Sequence, residues 1–471
     1  MVDVVDNHAP QAGITPDAGQ NNAVSTTLST PVVSRRSFLR AVGVAASGVA
    51  LAGCGSAAVR TQPANGQKVR LVYQDWPSGW FPPMAQAALD EFHDGHPNIR
   101  VFYVPDPDNT HYQEHVLADM QAGTMADVFQ GCCTHFPIWA EKGYTLDLRP
   151  YVAADLDRET IADWDPAQYR ALFSPGGAQF GLPKYHGALA LYYNKDLFRQ
   201  ARVDFPTENW THDDYLTAMT RLTQRTAGQP SIWGSMMEVI WDRVQVHVNG
   251  WGGHYVDPKN PRLALMAEPA SLAALQWLRD RIWNDHVMPS PASVRQLGTR
   301  EAFVAGKVAM VEDGSWALKD VLSEAPFDVG VAPFPAGPVR RATLATTDGF
   351  GIYAGTKHPE AAWELVKFLI GKNYGRRMAR AAFLQPARAS LVDEWTGFVR
   401  AEFPQKAKDV DIAAFAHGHL HGYSVTAEVF ANMAEATRIT TAVWEQIFTF
   451  GEAPVERMVE AAREIEQAQG S

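Results

Sequence analysis

The segment VRLVYQDWPSGWFPPMAQAALDEFHDGHPNIRVFYV, residues 69–104, decides the fold class of this chain. Apolar side chains recur at every second position at both of its ends, around Leu71 and around Val101, as in half-buried β-strands. Between the two ends, Phe81, Ala85 and Phe92 mark an apolar stripe with helical spacing. A strand–helix–strand unit implies two parallel strands joined by a right-handed crossover. The segment therefore predicts an α/β protein with a parallel sheet.

The same periodicities continue along the chain. The stretch 126–129 is short and apolar, and it predicts another buried strand. Apolar faces with helical spacing lie in 271–284, after Pro359, and in 454–469. A proline such as Pro359 suits the first turn of a helix. The pattern predicts an α/β fold with extra helices at its C-terminal end.

An apolar stretch near the N-terminus predicts export. Arg35 and Arg36 precede thirteen small and apolar residues, 41–53, which end at Cys54. A membrane-spanning helix needs roughly 20 such residues, so this stretch is too short to span. A charged start, a short apolar region and small residues at its end describe a secretory signal. The stretch resembles a twin-arginine signal joined to a bacterial lipoprotein cleavage box, which predicts removal of 1–53, a lipid on Cys54 and a flexible tether over 54–67.

Composition narrows the class of protein. The chain has 471 residues, a net charge of −11 and 46% hydrophobic residues, which suits well-packed domains in water. The length favours two lobes over one core. Nucleic acid is not an expected partner, because its binders present a basic patch. Cys132 and Cys133 are interpreted as small buried thiols, and a disulfide between these neighbours stays open as the alternative.

Short motifs occur along the chain in a fixed order. They are FHDGHPNI at 92–99, FGLPKY at 180–185, LYYNKDLF at 191–198, WTHDD at 210–214, FVAGKVAM at 303–310 with GSW at 314–316, and KHPEAAWELVKFL at 357–369. Together they resemble the family 1 extracellular solute-binding proteins, the maltose-binding-protein-like receptors of ABC importers. The resemblance extends over about residues 68–470.

The resemblance implies a periplasmic-binding-protein fold of type II, in which crossing strands join two α/β lobes and form a hinge. Lobe one would comprise 68–183 and 326–372, and lobe two 184–325 and 373–471. A small ligand would bind in the cleft between the lobes, as ligands commonly do at such interfaces. The resemblance also implies a monomer without cofactor or metal ion, which delivers its ligand to a membrane permease.

A carbohydrate is the expected ligand. The chain has 14 tryptophans, and sugar sites combine aromatic platforms with polar groups that pair with hydroxyls. In an open α/β lobe, such groups are expected beyond the carboxyl ends of strands. The candidates are therefore polar and aromatic residues that follow predicted strands or lie near the strands expected to cross between the lobes. Trp316 is a candidate because the family resembled has an aromatic residue at this position that often stacks on the sugar. The candidate ligand-binding residues are Asp75, Trp76, Trp80, Gln130, Tyr185, His186, Trp241, Trp251, Trp316, Asp348 and Arg388; for several of the aromatic ones, simple packing is the alternative.

The motif HGHLH at 417–421 raises the question of a metal site, since three histidines can bind zinc or copper. Alternate residues share a side only in an extended chain, and no further ligand is evident in the sequence. The interpretation is a polar loop that approaches the cleft through His419 or Tyr423.

Enzymatic activity is not expected, because GxSxG, P-loop and HExxH motifs are absent from the sequence. A glycoside hydrolase stays an alternative, since a pair of carboxylates cannot be recognised from sequence alone. A second alternative is a receptor for a glycerol- or phosphate-bearing solute, with Lys184, Arg243 or Arg388 as its cations. The predicted function is that of a lipid-anchored receptor on the outer face of the cytoplasmic membrane that delivers a carbohydrate to an ABC permease.

Overall fold

The structure is a computed structural model that describes residues 68–77, 79–106, 112–132, 134–294 and 297–470. The predicted signal segment, Cys54, the tether and Cys133 lie outside the described residues. Within the described ranges, every helix is too short or too polar to cross a membrane.

The strands are β1 Val69–Asp75, β2 Ile99–Pro105, β3 Val128–Gly131, β4 Leu182–Pro183, β5 Leu189–Asn194, β6 Gln224–Thr226, β7 Gln229–Ile232, β8 Val256–Asp257, β9 Asn260–Ala264, β10 Met310–Gly314, β11 Val329–Ala332, β12 Thr343–Leu344, β13 Gly349–Ile352 and β14 Ser424–Val425.

The helices are α1 Phe81–Gly95, α2 Tyr112–Ala122, α3 His135–Glu141, α4 Arg149–Asp155, α5 Arg158–Ala162, α6 Pro166–Ala171, α7 Lys195–Ala201, α8 His212–Leu222, α9 Trp241–Gly250, α10 Pro269–Trp283, α11 Thr299–Val304, α12 Leu318–Glu324, α13 Pro359–Leu369, α14 Lys372–Ala382, α15 Val392–Glu402, α16 His417–His421, α17 Met433–Trp444 and α18 Arg457–Ala468.

The first lobe is built on a sheet with the strand order β2-β1-β3-β13-β4. β1 pairs in parallel with both β2 and β3, which confirms the parallel unit predicted from residues 69–104. Helix α1 buries Phe81, Ala85 and Phe92 against this sheet, because their spacing places them on one helical face. At the other edge β13 runs antiparallel to β3 and β4. The strand predicted at 126–129 begins two residues later, at Val128.

The second lobe is built on the antiparallel sheet β10-β5-β11. Strand β11 falls within 326–372, which the sequence assigned to lobe one, yet its backbone bonds to β5 and its valines pack in the second lobe. The chain returns to the first sheet only at β13. The helices predicted at 271–284 and 454–469 appear as α10 and α18, and both pack in this lobe.

Three crossover segments, 184–188, 345–348 and 385–388, run side by side between the two sheets. Lys184 N donates to Asp348 O at 3.1 Å, and His186 N donates to Gln385 O at 3.0 Å. Thr346 N donates to the carbonyl of residue 187 at 2.7 Å. The backbone of each crossover is thus bonded to another, which makes this region the natural hinge between the lobes.

Candidate functional site

Polar side chains gather at the carboxyl ends of three parallel strands of the first lobe. Gln74, in β1, donates from Nε2 to Asp106 Oδ1 at 3.0 Å, just past β2. Gln130, in β3, donates from Nε2 to Asp106 Oδ2 at 3.3 Å. Asp106 therefore connects all three strand ends, at the edge of the sheet where a ligand is expected. The side-chain oxygen of Gln130 is buried without a partner among the described residues.

A buried ion pair lies beside this group. Lys184, from the first crossover segment, donates from Nζ to Asp75 Oδ1, and both side chains are fully buried. The backbone N of Trp76 also donates to Asp75 Oδ1, at 2.7 Å, and the hydroxyl of Tyr73 donates to Oδ2. The ammonium of Lys184 lies 3.2 Å from the ring centre of Trp76. Burial lowers the pKa of Lys184, and the charge of Asp75 opposes that shift.

Aromatic rings cover this ion pair. The ring of Trp76 meets that of Tyr185 at 5.3 Å and that of Trp80 at 6.2 Å, in both cases edge to face. Tyr185 is buried, while Trp76 and Trp80 keep part of their surface exposed. The two tryptophans therefore offer an aromatic surface close to the strand ends.

The second lobe contributes another aromatic residue next to charged groups. Trp316 is partly buried and packs against apolar clusters of both lobes. The guanidinium of Arg243 lies 4.8 Å from the ring centre of Trp316 and bonds to Asp242 Oδ2 at 3.1 Å. Gly314 makes room for the ring, since a Cβ there would lie 2.2 Å from it.

Three carboxyl groups near the junction of the two lobes have raised pKa values. Burial raises the pKa of Asp106 to about 7, helped by the charge of Asp75. Burial likewise raises the pKa of Asp348 to about 6 and that of Asp313 to about 6. Between about pH 6 and pH 7 these groups titrate, so each occurs both as a protonated donor and as an ionised acceptor of hydrogen bonds from a ligand's hydroxyls.

A groove of about 680 Å³ separates side chains of the two lobes. Gln113 and His135 line it from the first lobe, and Glu238, Trp241 and Asp242 line it from the second. Gln113 follows Tyr112, whose hydroxyl is bonded to Gln130, so the groove lies next to the polar strand ends. This arrangement is a groove between the lobes, with polar side chains of the first lobe on one side and acidic and aromatic side chains of the second lobe on the other.

Comparisons with known proteins agree with this architecture. The family model described as "Bacterial extracellular solute-binding protein" matches residues 78–375. The chain belongs to the bacterial extracellular solute-binding proteins. A protein of Brucella abortus named as a binding protein is 29% identical over 242 residues, 51% of this chain and 56% of that protein. This solute-binding protein thus spans about half the length of the curated relatives it matches.

Solved structures show the same two-lobed fold. An ABC substrate-binding protein of Listeria monocytogenes, in complex with cycloalternan, matches with a TM-score of 0.74 and 22% identity, covering 86% of this chain and 100% of that one. UgpB of Mycobacterium tuberculosis, in complex with glycerophosphocholine, matches with a TM-score of 0.69 and 19% identity, covering 85% and 98%. The maltose-binding-protein-like fold and family expected from the motifs are confirmed.

The structure brings together many of the candidate residues of this solute-binding protein. Asp75, Trp76, Trp80 and Tyr185 form one contact group, and Asp348 is bonded through its carbonyl to Lys184. Gln130 lies at the neighbouring strand end.

Two candidate tryptophans, Trp241 and Trp251, make most of their contacts within the second lobe. Trp241 is buried, donates to Glu428 O at 2.9 Å and packs on Tyr255, although it also lines the groove. Trp251 lies against His212 and Trp277 within the second lobe.

The last two candidates lie by the crossovers. Arg388 lies 4.1 Å from the ring centre of Trp164 and donates to Ile370 O at 3.1 Å. His186 is fully buried against Asp165 and His419.

Sequence reasoning missed several residues of this site. Asp106 was not singled out because the end of β2 was not recognised as part of the same edge as Gln130. Lys184 was considered only as a phosphate ligand, whereas the structure pairs it with Asp75. The lysine lies in the FGLPKY motif, so its place beside the crossover was the signal that could have identified it.

The HGHLH segment is a short helix, α16, and not a loop as predicted. One helical turn brings His417 and His421 together, with ring centres 5.0 Å apart. His419 lies elsewhere on the helix and meets His186, with ring centres 5.2 Å apart. Burial, with the neighbouring His186, lowers the pKa of His419 to about 4.

Replacement of Lys184 by methionine should destabilise the protein by about 3–5 kcal/mol, because the carboxylate of Asp75 would stay buried without its cation. Urea unfolding at pH 7 measures the free energy. The double variant Lys184→Met with Asp75→Asn should recover part of the loss, since it removes the uncompensated charge. The matched control Lys372→Met removes an exposed lysine that pairs with the partly buried Asp163 and should cost less than about 1 kcal/mol. Equal costs for the two lysines would contradict the prediction.

The free energy of unfolding should contain a contribution from Asp106 that falls between about pH 4 and pH 7. The folded protein keeps the proton of Asp106 up to about pH 7, whereas the unfolded chain releases it near 3.8. The unfolded state therefore binds fewer protons in this window, and stability drops as pH rises. Asp106→Asn should flatten the pH dependence in urea titrations, while substitution of the exposed Asp94 by Asn should not. Parallel curves for the wild type and Asp106→Asn would refute this assignment.

Proposed function

We propose that this protein binds a carbohydrate between its lobes and delivers it to an ABC permease, without chemical change to the ligand. The observation that carries the proposal is the chemistry of the cleft. Partly exposed tryptophans of both lobes lie near carboxyl and amide groups at the junction of the lobes. Flat C–H faces of sugars pack on such rings, and their hydroxyls pair with such polar groups.

The aromatic surfaces come from both sides of the hinge. Trp76 and Trp80 follow β1 in the first lobe, and Trp316 follows β10 in the second. Closure of the lobes would place a sugar ring between tryptophans that the open form holds apart. Asp106 and Asp313, with their raised pKa values, supply hydroxyl partners that need not carry a full charge.

The charge balance of the cleft argues against an anionic ligand. Lys184 is neutralised by Asp75, and Arg243 lies beside Asp242. Asp313 is also close enough to Arg243 to feel its charge, and Glu238 adds a further carboxylate nearby. The likeness to UgpB with glycerophosphocholine favours the alternative of a phosphate-bearing ligand. A phosphate group in this cleft would, however, lie near more carboxylates than unpaired cations, and like charges repel. The likeness to the Listeria protein with cycloalternan supports a carbohydrate.

The mechanism follows from the hinge. A ligand that contacts both walls binds the closed arrangement more tightly and shifts the population towards it. The crossover segments are bonded to one another through backbone groups, so they can flex together without losing partners. The closed form then docks, as a monomer, on a permease in the membrane, and the partner supplies the energy of ATP hydrolysis.

A screen of neutral mono- and oligosaccharides should yield at least one compound that raises the melting temperature, because binding to the folded state alone stabilises it. Titration followed by tryptophan fluorescence gives the affinity. Trp316→Ala should weaken binding about tenfold or more, since the ring loses its stacking on the sugar. The control Trp233→Ala removes a partly buried tryptophan that packs within the second lobe, whereas Trp316 packs against clusters of both lobes. This control should leave affinity unchanged.

Several results would overturn the carbohydrate proposal. A compound bound only when it carries phosphate, with affinity that falls steeply with salt, would establish the alternative ligand class. Release of monosaccharide from an oligosaccharide after long incubation would show a glycosidase instead. Equal affinity of wild type and Trp316→Ala for a bound sugar would remove Trp316 from the site.

The proposal includes a lipid anchor at Cys54, following the twin-arginine signal that precedes it in the sequence. Cys54→Ala should move the protein from the membrane fraction to the soluble fraction, because the thiol that takes the lipid is gone. The released protein should keep its ligand affinity, since the cleft lies within 68–470. A membrane-bound Cys54→Ala variant would contradict the anchor, and loss of binding would contradict the separation of anchor and cleft.

A further inference from the structure

A cluster of three potential metal ligands lies beside the hinge. Asp165 precedes α6 of the first lobe, His186 lies in the first crossover segment, and His419 lies in α16 near the C-terminal end. One oxygen or nitrogen of each side chain lies within 4.8 Å of those of the other two. Three segments far apart in the sequence thus converge on one point.

The spacing of His186 and Asp165, and that of the two histidine rings, suits a small ion with tetrahedral coordination. Ligand atoms at the zinc distance of roughly 2.0–2.1 Å lie about 3.3 Å from each other. His186 Nε2 and Asp165 Oδ2 are 3.2 Å apart. Two imidazoles that share such an ion have ring centres about 5 Å apart, and those of His186 and His419 are 5.2 Å apart.

One ring nitrogen of His419 is unused. Its Nδ1 is buried and has no hydrogen-bond partner among the described residues. A hydrogen bond from the ring to the backbone of Trp164 occupies the other nitrogen. The bond holds the hydrogen on Nε2 and leaves the lone pair of the buried Nδ1 unused, and one protonated and one unused nitrogen is the usual state of a histidine that binds a metal.

The surroundings of His186 and Asp165 suit the same role. Asp165 Oδ1 accepts from Ala167 N at 2.7 Å and Gln168 N at 3.1 Å, while Oδ2 lies beside His186 Nε2. The amide of Gln385 lies 3.1 Å from His186 Nδ1, and its oxygen has no partner in this orientation. When the side-chain nitrogen and oxygen of Gln385 are exchanged, the amide oxygen accepts a hydrogen bond from His186 Nδ1. The lone pair of His186 Nε2 is then left for an ion.

We infer that Asp165, His186 and His419 form a binding site for a divalent transition-metal ion of the zinc type, with water as its fourth ligand. Imidazole and carboxylate are ligands that Zn²⁺ accepts readily. His419 is only half-buried, which leaves a route for the ion and the water. The ion would tie the first lobe and the first crossover segment to α16, next to the hinge.

The test is titration of the metal-free full chain with Zn²⁺ by calorimetry and with Co²⁺ by visible absorption. The expected result is one ion per chain and an absorption spectrum of tetrahedral cobalt. Zn²⁺ should also raise the melting temperature of the wild type. His419→Ala should weaken binding by more than about 100-fold, and it should still fold, because it gives up a single hydrogen bond, from the ring to the backbone of Trp164, and the net contribution of one such bond to stability is small.

The matched control is the double variant His417→Ala with His421→Ala, which removes the neighbouring pair on the outer part of the same helix. Affinity in this control should equal that of the wild type. Binding that survives in His419→Ala but is lost in the double variant would place the ion on the helix surface and overturn the inference. The absence of binding to the wild type, or an affinity unaffected by either variant, would overturn it as well.

Discussion

The buried ion pair of Lys184 and Asp75 is the interaction on which the candidate ligand-binding region depends. It joins the end of the first strand to the first crossover segment, and neither side chain reaches water. A buried pair of this kind is tolerated only when both partners keep their hydrogen bonds. Tyr73, the backbone of Trp76 and the face of its ring supply these contacts. The pair thereby couples the first lobe to the hinge, and the charge of Asp75 helps to keep Asp106 protonated near neutral pH.

The excess of acidic groups over unpaired cations in the cleft follows from the same need to pair buried charges. Each cation near the junction has an acidic partner or lies against backbone oxygens, and additional carboxyl groups are held by burial in a partly neutral state. Such a surface pairs better with hydroxyl groups than with phosphates. Trp316 is central because its ring touches apolar clusters of both lobes, so a ligand stacked on it would sense the relative position of the two.

Much of the fold could be predicted from residues 69–104 because local periodicity reports which face of a strand or helix is buried. The helices at 271–284, 359–369 and 454–469 were predictable for the same reason. The order of motifs also pointed to the family before any contact was known. The predicted boundary at 326 misplaced β11, since apolar strands of both lobes look alike and only pairing distinguishes them. HGHLH was misread because five residues carry too little periodicity to distinguish a loop from a helical turn.

The sequence by itself determined the α/β class, the family and the surplus of tryptophan and acidic residues that suits a sugar receptor. These properties depend on composition and on neighbours a few positions apart. Only the tertiary structure decided that Lys184 meets Asp75, that Asp106 connects three strand ends, and that Asp165, His186 and His419 share one corner of the hinge. The partners in these contacts are separated by up to 254 positions along the chain, and their proximity arises from the way the crossovers fold the two lobes together.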